Sequence, residues 1–479
     1  MMELKMQIAG CAVESASGRV FDKINPSTLE RIGTVPRGDT VDVDRAVNAA
    51  SAAFRSEAWY DMVPPDRAAL MFKLADCILA DKERLARAES QDVGKRLSEA
   101  EADVIVAARY FRFYAGIADK IGGETIPIGP DILDYTVREP FGVTAHVTPW
   151  NYPLQMASRS VSVALATGNT AIIKPAEDTP QTSIMLAELA QKAGFPDGVI
   201  NVVTGYGAEV GDALVSHPEV RHVTFTGSVQ TASRIMQSAA KNNTPVILEC
   251  GGKPPHIVFA DANLDAALPV IVKSITQNAG QTCSAGSRLL VDRFIADETI
   301  ARLKKMMGDL DLAPGMDNRG MGPIVSEKQV VQIEEGLRKA IEDGDEILLG
   351  GQRRTIGSSD LFFEPTIVRA ATPKSHIARH EVFGPVITVL AFENEAEALH
   401  LANDTPYGLS TGVWTNDLGR ALRLARRLTG GQVFVNNYGA GGGVEMPFGG
   451  TGRSGFGRQK GLETLRYYTQ TKNVAIKFN

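Results

Sequence analysis

Between Gly142 and Gly252 the sequence runs through GVTAHVTPW (142–150), NTAIIKP (169–175), VINVVTG (199–205), HVTFTGS (222–228) and PVILECGG (245–252). These short apolar runs each pass into proline, glycine or serine. Helix-like stretches lie between them, such as TPQTSIMLAELAQKAG (179–194) and AEVGDALVSH (208–217). Alternation of this kind predicts an α/β fold, a parallel sheet with helices on both faces. Ligands of such sheets collect beyond the carboxyl ends of the strands. Thr148, Pro149, Trp150 and Asn151 fall there, as do Lys174 to Glu177, Thr226, Gly227, Ser228 and Glu249.

A second α/β series follows. The stretch 256–295 reads as strand, helix, loop and strand, with the helix ending near Gly280 and Cys283 on the loop. Further on come EVFGPVITVLAF (381–392), a helix from Glu395, the strand QVFVNN (432–437) and a glycine-dense loop at 438–461. Upstream, Asp39 and Thr40 start a helix whose apolar face is Val43, Ala46, Val47 and Ala50. Pro64 and Pro65 break the chain, and Asp66 caps the helix that carries Leu70, Leu74 and Ile78. Helical composition continues to Lys120 and shows no obvious chemistry. The polar stretch 124–140 reads as an extended excursion, and the tail 465–479 as its partner; such excursions pair with another subunit or lie on the surface.

The chain has 479 residues, enough for two or three domains, and a net charge of −6. That charge gives no reason to expect nucleic acid or acidic membranes as partners. No apolar run reaches the roughly 20 residues needed to cross a bilayer, and the N-terminus lacks the pattern of a secretory signal. The four cysteines, Cys11, Cys77, Cys250 and Cys283, are far apart, so neither a disulfide framework nor a zinc site is expected and a cytoplasmic location is.

Two residues invite a chemical reading. Cys283 stands among small and polar neighbours that would let a substrate approach, but nothing charged adjoins it in sequence, so its activation must come from the fold. Glu249 ends a run that should be buried, where an acid is costly unless paired, solvated or functional. An exposed strand-end carboxylate is the plain alternative. Gly205 to Gly211 has one residue too many for a GxGxxG fingerprint and reads equally as an ordinary turn. Lys174 and Glu177 would suit the hydroxyls of a ribose, with the carboxylate favouring NAD over NADP, or they are a surface lysine and a capping acid. His376 and His380 are spaced as on one helix face, but no third ligand accompanies them and no metal is expected.

Taken together, PWNYP (149–153), KPAE (174–177), FTGS (225–228), ECGG (249–252), GQTC (280–283), EVFGP (381–385) and PFGG (447–450) resemble the aldehyde dehydrogenase superfamily, in its order and across essentially the whole chain. The resemblance implies a Rossmann-like cofactor domain (1–121 and 141–250), an α/β catalytic domain (251–464) and a small β oligomerisation extension (122–140 and 465–479), assembled as a homodimer or homotetramer. It implies that Cys283 attacks an aldehyde, that Asn151 and the Cys283 N–H hold the oxyanion, and that Glu249 activates the water that hydrolyses the thioester. Lys174 is placed with the catalytic group as well as on the adenosine ribose with Glu177. Trp150 and Ser228 would meet the phosphates of NAD, or of NADP if it is accepted. Glu381 would take the nicotinamide ribose and Phe383 would pack near the ring. Thr148, Pro149, Gly207, Gly211, Phe225, Thr226, Gly227 and Gly251 complete the cofactor contacts.

Departures from the family pattern shape the remaining expectations. Cys250 follows the general base where leucine is usual, and reads as packing or as a site of oxidation. Ala232 replaces a common glycine near the phosphate-side helix. Arg159 occupies a position where many relatives carry a tunnel-lining tryptophan. Facing the tunnel, it would favour an aldehyde with a second anionic group, such as a carboxylated semialdehyde; otherwise it pairs with a scaffold acid. Arg453 points the same way, while Tyr152 and Met156 would supply an apolar wall. The alternatives are a CoA-acylating semialdehyde dehydrogenase, which needs no water-activating Glu249, and a catalytically silent binding protein on the same fold.

Overall fold

The computed structural model describes residues 2–439 and 443–478; positions 440–442 of the glycine-dense loop lie outside the described residues. Strand Val143–Val147 is the pivot of an eight-stranded sheet. On one side Thr170–Lys174 and then Ile200–Val202 add to it in parallel, and on the other Val220–Gly227 and then Val246–Cys250. The chain thus builds outward one way and returns to build the other, which opens a crevice beyond the carboxyl end of the pivot strand. Antiparallel strands close both edges, Gly455–Phe456 against Val246–Cys250 on one side, and on the other Met6–Ile8 against Ile200–Val202 with Cys11–Val13 outermost. Helices cover both faces, so Ala145, Ile172, Ile173, Val202 and Val223 are fully buried.

The helix Thr40–Phe54 has the expected start, with Asp39 and Asp42 forming a capping box, and its four expected apolar residues are fully buried. After the short helix Glu57–Tyr60, Pro64 and Pro65 open the helix Pro64–Ala80 instead of separating two segments. The first turn of a helix has no use for the N–H that proline lacks, and Asp66 lies inside that turn.

A second sheet runs Glu346–Leu349, Thr366–Arg369, Val386–Phe392, Arg288–Asp292, Pro255–Val258, Ser410–Trp414 and Gln432–Val435, parallel apart from its first strand. The helix before the cysteine loop, Leu264–Thr276, stops short of Gly280 because Asn278 and Ala279 turn into the left-handed region. Between the strands Arg288–Asp292 and Val386–Phe392 lies a helix, Glu327–Glu342, that sequence reading passed over although Val330, Ile333, Leu337 and Ala340 mark its buried face. The excursion and the tail pair as expected: Ile132–Pro140 is matched along its length by Thr469–Lys477, with Thr125–Ile126 on its other edge. This small sheet leaves Leu133 and Ile476 exposed. Among the described residues, no helix is long and apolar enough to cross a membrane.

Candidate active site

The cysteine loop is pinned from both sides. The Asn151 side-chain amide donates to the Gln281 carbonyl at 2.9 Å, and the Asn278 amide donates to the Asn151 carbonyl at 3.0 Å. Tyr152 and Thr282 share a hydroxyl hydrogen bond of 2.7 Å, while the Tyr438 hydroxyl donates to the Ser284 carbonyl at 2.9 Å. Gln281 is fully buried, and its side-chain oxygen accepts the Val325 N–H at 2.9 Å. Asn278, Ala279 and Gly280 all have positive φ, at 50°, 53° and 72°. Any side chain at Gly280 would strike the backbone of Gly384, so the GQTC and EVFGP blocks meet main chain to main chain. Consecutive left-handed residues are costly, and here hydrogen bonds on both flanks hold them in place.

The loop borders a cavity of about 860 Å³ beyond the carboxyl ends of the first sheet. Of the residues expected at the site, Pro149, Trp150, Asn151, Tyr152, Met156, Arg159, Thr226, Gly227, Ser228, Glu249, Gly251, Cys283, Glu381 and Phe383 line it. Fourteen positions spread over more than two hundred residues of chain thus converge on one space.

Glu249 is 2% exposed, and neither carboxylate oxygen has a hydrogen-bond partner among the described residues. Burial pushes its carboxyl up to about 8 against the opposing charges of Arg159, Arg458 and Lys460. Burial likewise pushes the Cys283 thiol up to about 11, and Arg159 is the leading charge that pulls it back. A charge that sequence neighbours do not bring to Cys283 thus comes from Arg159 on the helix Pro153–Ala166, although the thiol stays above its usual value. Arg159 itself is 4% exposed and, among the described residues, forms no ion pair with a scaffold acid. Its Nε and Nη2 lack hydrogen-bond partners among the described residues, and its guanidinium lies 5.0 Å over the Phe448 ring. Cys250 packs into the sheet core beside Glu249, where burial pushes its thiol up to about 12. A thiol held in that form is a poor nucleophile.

Seven expected positions lie outside the cavity wall. Phe225 is a core residue whose ring stands 2.6 Å from where a Cβ on Gly227 would be, so it shapes the wall from beneath. Thr148 is buried, and its N–H donates to the Lys174 carbonyl. Lys174 and Glu177 face each other at 3.3 Å at the end of the neighbouring strand. Gly207–Gly211 is a wide helical turn one strand further out, where Glu209 pairs with Arg37. Arg453 does not enter the cavity: it is exposed on the turn between Thr451–Gly452 and Gly455–Phe456, its N–H tied to the Pro406 carbonyl. Lys460, later in the same loop, lines the cavity instead, 5.5 Å over the other reach of Phe448.

The crevice suits a dinucleotide. Ser228 caps the helix Val229–Ala240, and Ser228 at its N-terminus lines the cavity, a favourable place for a pyrophosphate. The Glu381 carboxylate lies on the Gly251–Gly252 turn, where its Oε1 accepts the Gly252 N–H at 2.9 Å and occupies the room a side chain on Gly251 would need. Trp150 and Phe383 meet edge to face, with centroids 5.3 Å apart. His376 and His380 stack at 4.1 Å, and among the described residues no group of three or more His, Cys, Asp or Glu is placed to hold a metal.

Sequence reading missed several residues of the wall. Asp103 and Tyr110 come from the helix Leu97–Ala115, in the segment expected to carry no chemistry. Their spacing marks a buried helix face, and nothing in it singles out a cavity. Phe448 lies in the quoted PFGG block, whereas Tyr438 and Lys460 sit in a loop whose course is not legible from glycine content.

Comparison with known proteins agrees with this geometry. Residues 12–474 match the profile described as the aldehyde dehydrogenase family. Betaine aldehyde dehydrogenase of Bacillus subtilis is 40% identical over 481 residues, covering 99% of this chain and 97% of that protein. (Z)-2-((N-methylformamido)methylene)-5-hydroxybutyrolactone dehydrogenase of Acinetobacter baylyi is 39% identical over 482 residues, covering 100% and 98%. An NAD+ complex of aldehyde dehydrogenase from Bacillus cereus superposes with a TM-score of 0.97 at 39% identity, covering 100% of this chain and 97% of that one. With the sequence blocks, the fold and full-length relatives in agreement, the chain belongs to the aldehyde dehydrogenase family.

Proposed function

We propose that this enzyme oxidises an aldehyde to its carboxylic acid with NAD, through a thioester on Cys283 that Glu249 helps water to cleave. One observation carries the proposal: the Asn151 amide, the Cys283 thiol and the unpaired Glu249 carboxylate border a single cavity. Cys283 attacks the aldehyde carbon. The oxyanion is held by the Cys283 N–H and by Asn151, whose amide has a second N–H besides the one donated to Gln281. Bound NAD takes up the hydride that leaves the thiohemiacetal carbon. Glu249 then removes a proton from the water that attacks the thioester, and the acid departs. Trp150, Ser228, Glu381 and Phe383 hold the cofactor. Lys174 and Glu177 serve its adenosine ribose beyond the cavity, next to Gly207 and Gly211.

The substrate class we favour is an aldehyde carrying a second anionic group, because a buried guanidinium whose Nε and Nη2 lack partners among the described residues favours an anion. The CoA-acylating alternative leaves the placement of Glu249 unexplained, and a silent binding protein would not need an unpaired buried acid facing a thiol. The division of labour follows the two large sheets, with Ile132–Pro140 and Thr469–Lys477 as the oligomerisation extension. Four unpaired cysteines suit a reducing cytoplasm.

The test is NADH formation from NAD and a panel of short, aromatic, amino and carboxylated aldehydes without CoA. Turnover is expected, strongest with carboxylated members; silence across the panel, or turnover only with CoA, contradicts the proposal. Light scattering on protein truncated before Thr469 should report a smaller assembly than the full chain.

A further inference from the structure

Lys253 follows the Gly251–Gly252 turn, and its side chain is 2% exposed. Its Nζ has no hydrogen-bond partner among the described residues. An ammonium buried in this way is costly unless something uses its charge. On the other side of the same turn lies Glu381, bound to the Gly252 N–H and pressed against Gly251. Lys253 also lines a second, small cavity of about 10 Å³ with Arg288 and Ser410. Ser410 borders both cavities and its Oγ also lacks a partner among the described residues, so the lysine niche abuts the catalytic space.

We infer that Lys253 is a positioning residue for the cofactor: across the Gly251–Gly252 turn, its ammonium keeps Glu381 a carboxylate able to accept both ribose hydroxyls of NAD. The inference rests on the reading of Glu381 as a ribose contact. An ionised carboxylate only accepts hydrogen bonds, whereas the protonated acid presents a donor and loses an acceptor.

The surroundings leave this task to Lys253. Burial pushes Glu381 up to about 7, and among the described residues the Gly252 N–H and then Lys253 oppose it. Cys250, Cys283 and Tyr407 are the other titratable groups facing Glu381, and none brings positive charge. Against the opposing charge of Glu381, burial and then Arg288 push Lys253 down to about 7. Arg288 cannot replace it, because its guanidinium is spent on the carbonyls of Lys253, Leu401 and Ala402 and faces Asp404 and Arg379. His376, the remaining neighbour, is itself pushed toward neutrality, by burial first and then by His380. Lys253 is thus the cation that faces Glu381 across the turn, and the ionised Glu381 is the form that fits a ribose.

The experiment is the dissociation constant of NAD for the aldehyde-free protein, measured by calorimetry from about pH 6 to about pH 9.5. Lys253→Met should raise the midpoint of Glu381 by about one unit, weakening NAD about fivefold near pH 7 and not at all near pH 9.5. Lys253→Arg should keep the wild-type profile. Lys253→Gln, which retains a polar tip, should repeat the methionine result if Lys253→Met melts too readily to assay. Weakening that is uniform in pH, or no weakening, would overturn the role of Lys253. Glu381→Gln separates the two levels: it should weaken NAD and flatten the pH dependence, and unchanged binding would overturn the ribose reading itself.

Discussion

Asn151 donates its side-chain amide to the carbonyl of Gln281, two residues before Cys283. This bond joins the end of the pivot strand to the cysteine loop, and it engages one N–H of the amide while leaving the second for the oxyanion we propose it holds. Asn151→Ala should lower kcat about 10²–10³-fold, the loss typical of one oxyanion donor, with cofactor affinity unchanged. Steady-state kinetics with a titration of NAD binding checks this; weaker NAD binding with kcat intact would assign Asn151 to the cofactor.

Among the described residues no carboxylate forms an ion pair with Arg159. A substrate carboxylate filling that vacancy gains charge-assisted hydrogen bonds worth about 1.5–3 kcal/mol, or roughly 10–100-fold in KM. Arg159→Leu should therefore raise KM for carboxylated aldehydes by that factor and leave neutral aldehydes nearly unaffected. An equal effect on both would make Arg159 a purely electrostatic neighbour of Cys283 and Glu249.

Lys95 lies fully buried beneath the site, 2.6 Å from Asp103 and 3.7 Å from Glu89, with its Nζ 4.0 Å over the Tyr152 ring. Lys95→Met strands two buried carboxyls and should cost about 3–5 kcal/mol of stability. Burial already pushes Glu89 up to about 7 despite the Lys95 charge, and the variant raises it further. A carboxyl raised in the folded state favours folding in acid and loses that advantage as pH rises through its folded value. The deficit, followed by thermal melting, should accordingly be smallest in acid and largest above about pH 7; a deficit constant in pH would mean the loss is one of packing.

Much of this site is legible in the sequence because its chemistry sits at strand ends. Asn151 and Glu249 follow apolar runs whose direction is fixed by the alternation of strand and helix, and the cysteine loop follows a helix with a clear buried face. What the sequence withholds is distance across the fold. Arg159 lies on a helix where either the tunnel or a scaffold acid could claim it, and only the packed structure shows that no acid among the described residues does. Arg453 and Lys460 are indistinguishable as basic residues in a glycine-dense loop, yet one ends on the surface and the other in the cavity. Tyr110 reads as core, which it is, and it is also wall.

The central claim is an order of events, thiol first and water second, and Glu249→Gln tests it most directly in a rapid-mixing experiment. The variant should release one NADH per active site as fast as wild type, then turn over at least about 10²-fold more slowly. The wild-type steady rate should climb as pH rises through about 8, where the buried Glu249 gives up its proton, and the variant should lose that rise. Loss of the NADH burst itself, or unimpaired steady turnover, would contradict the account.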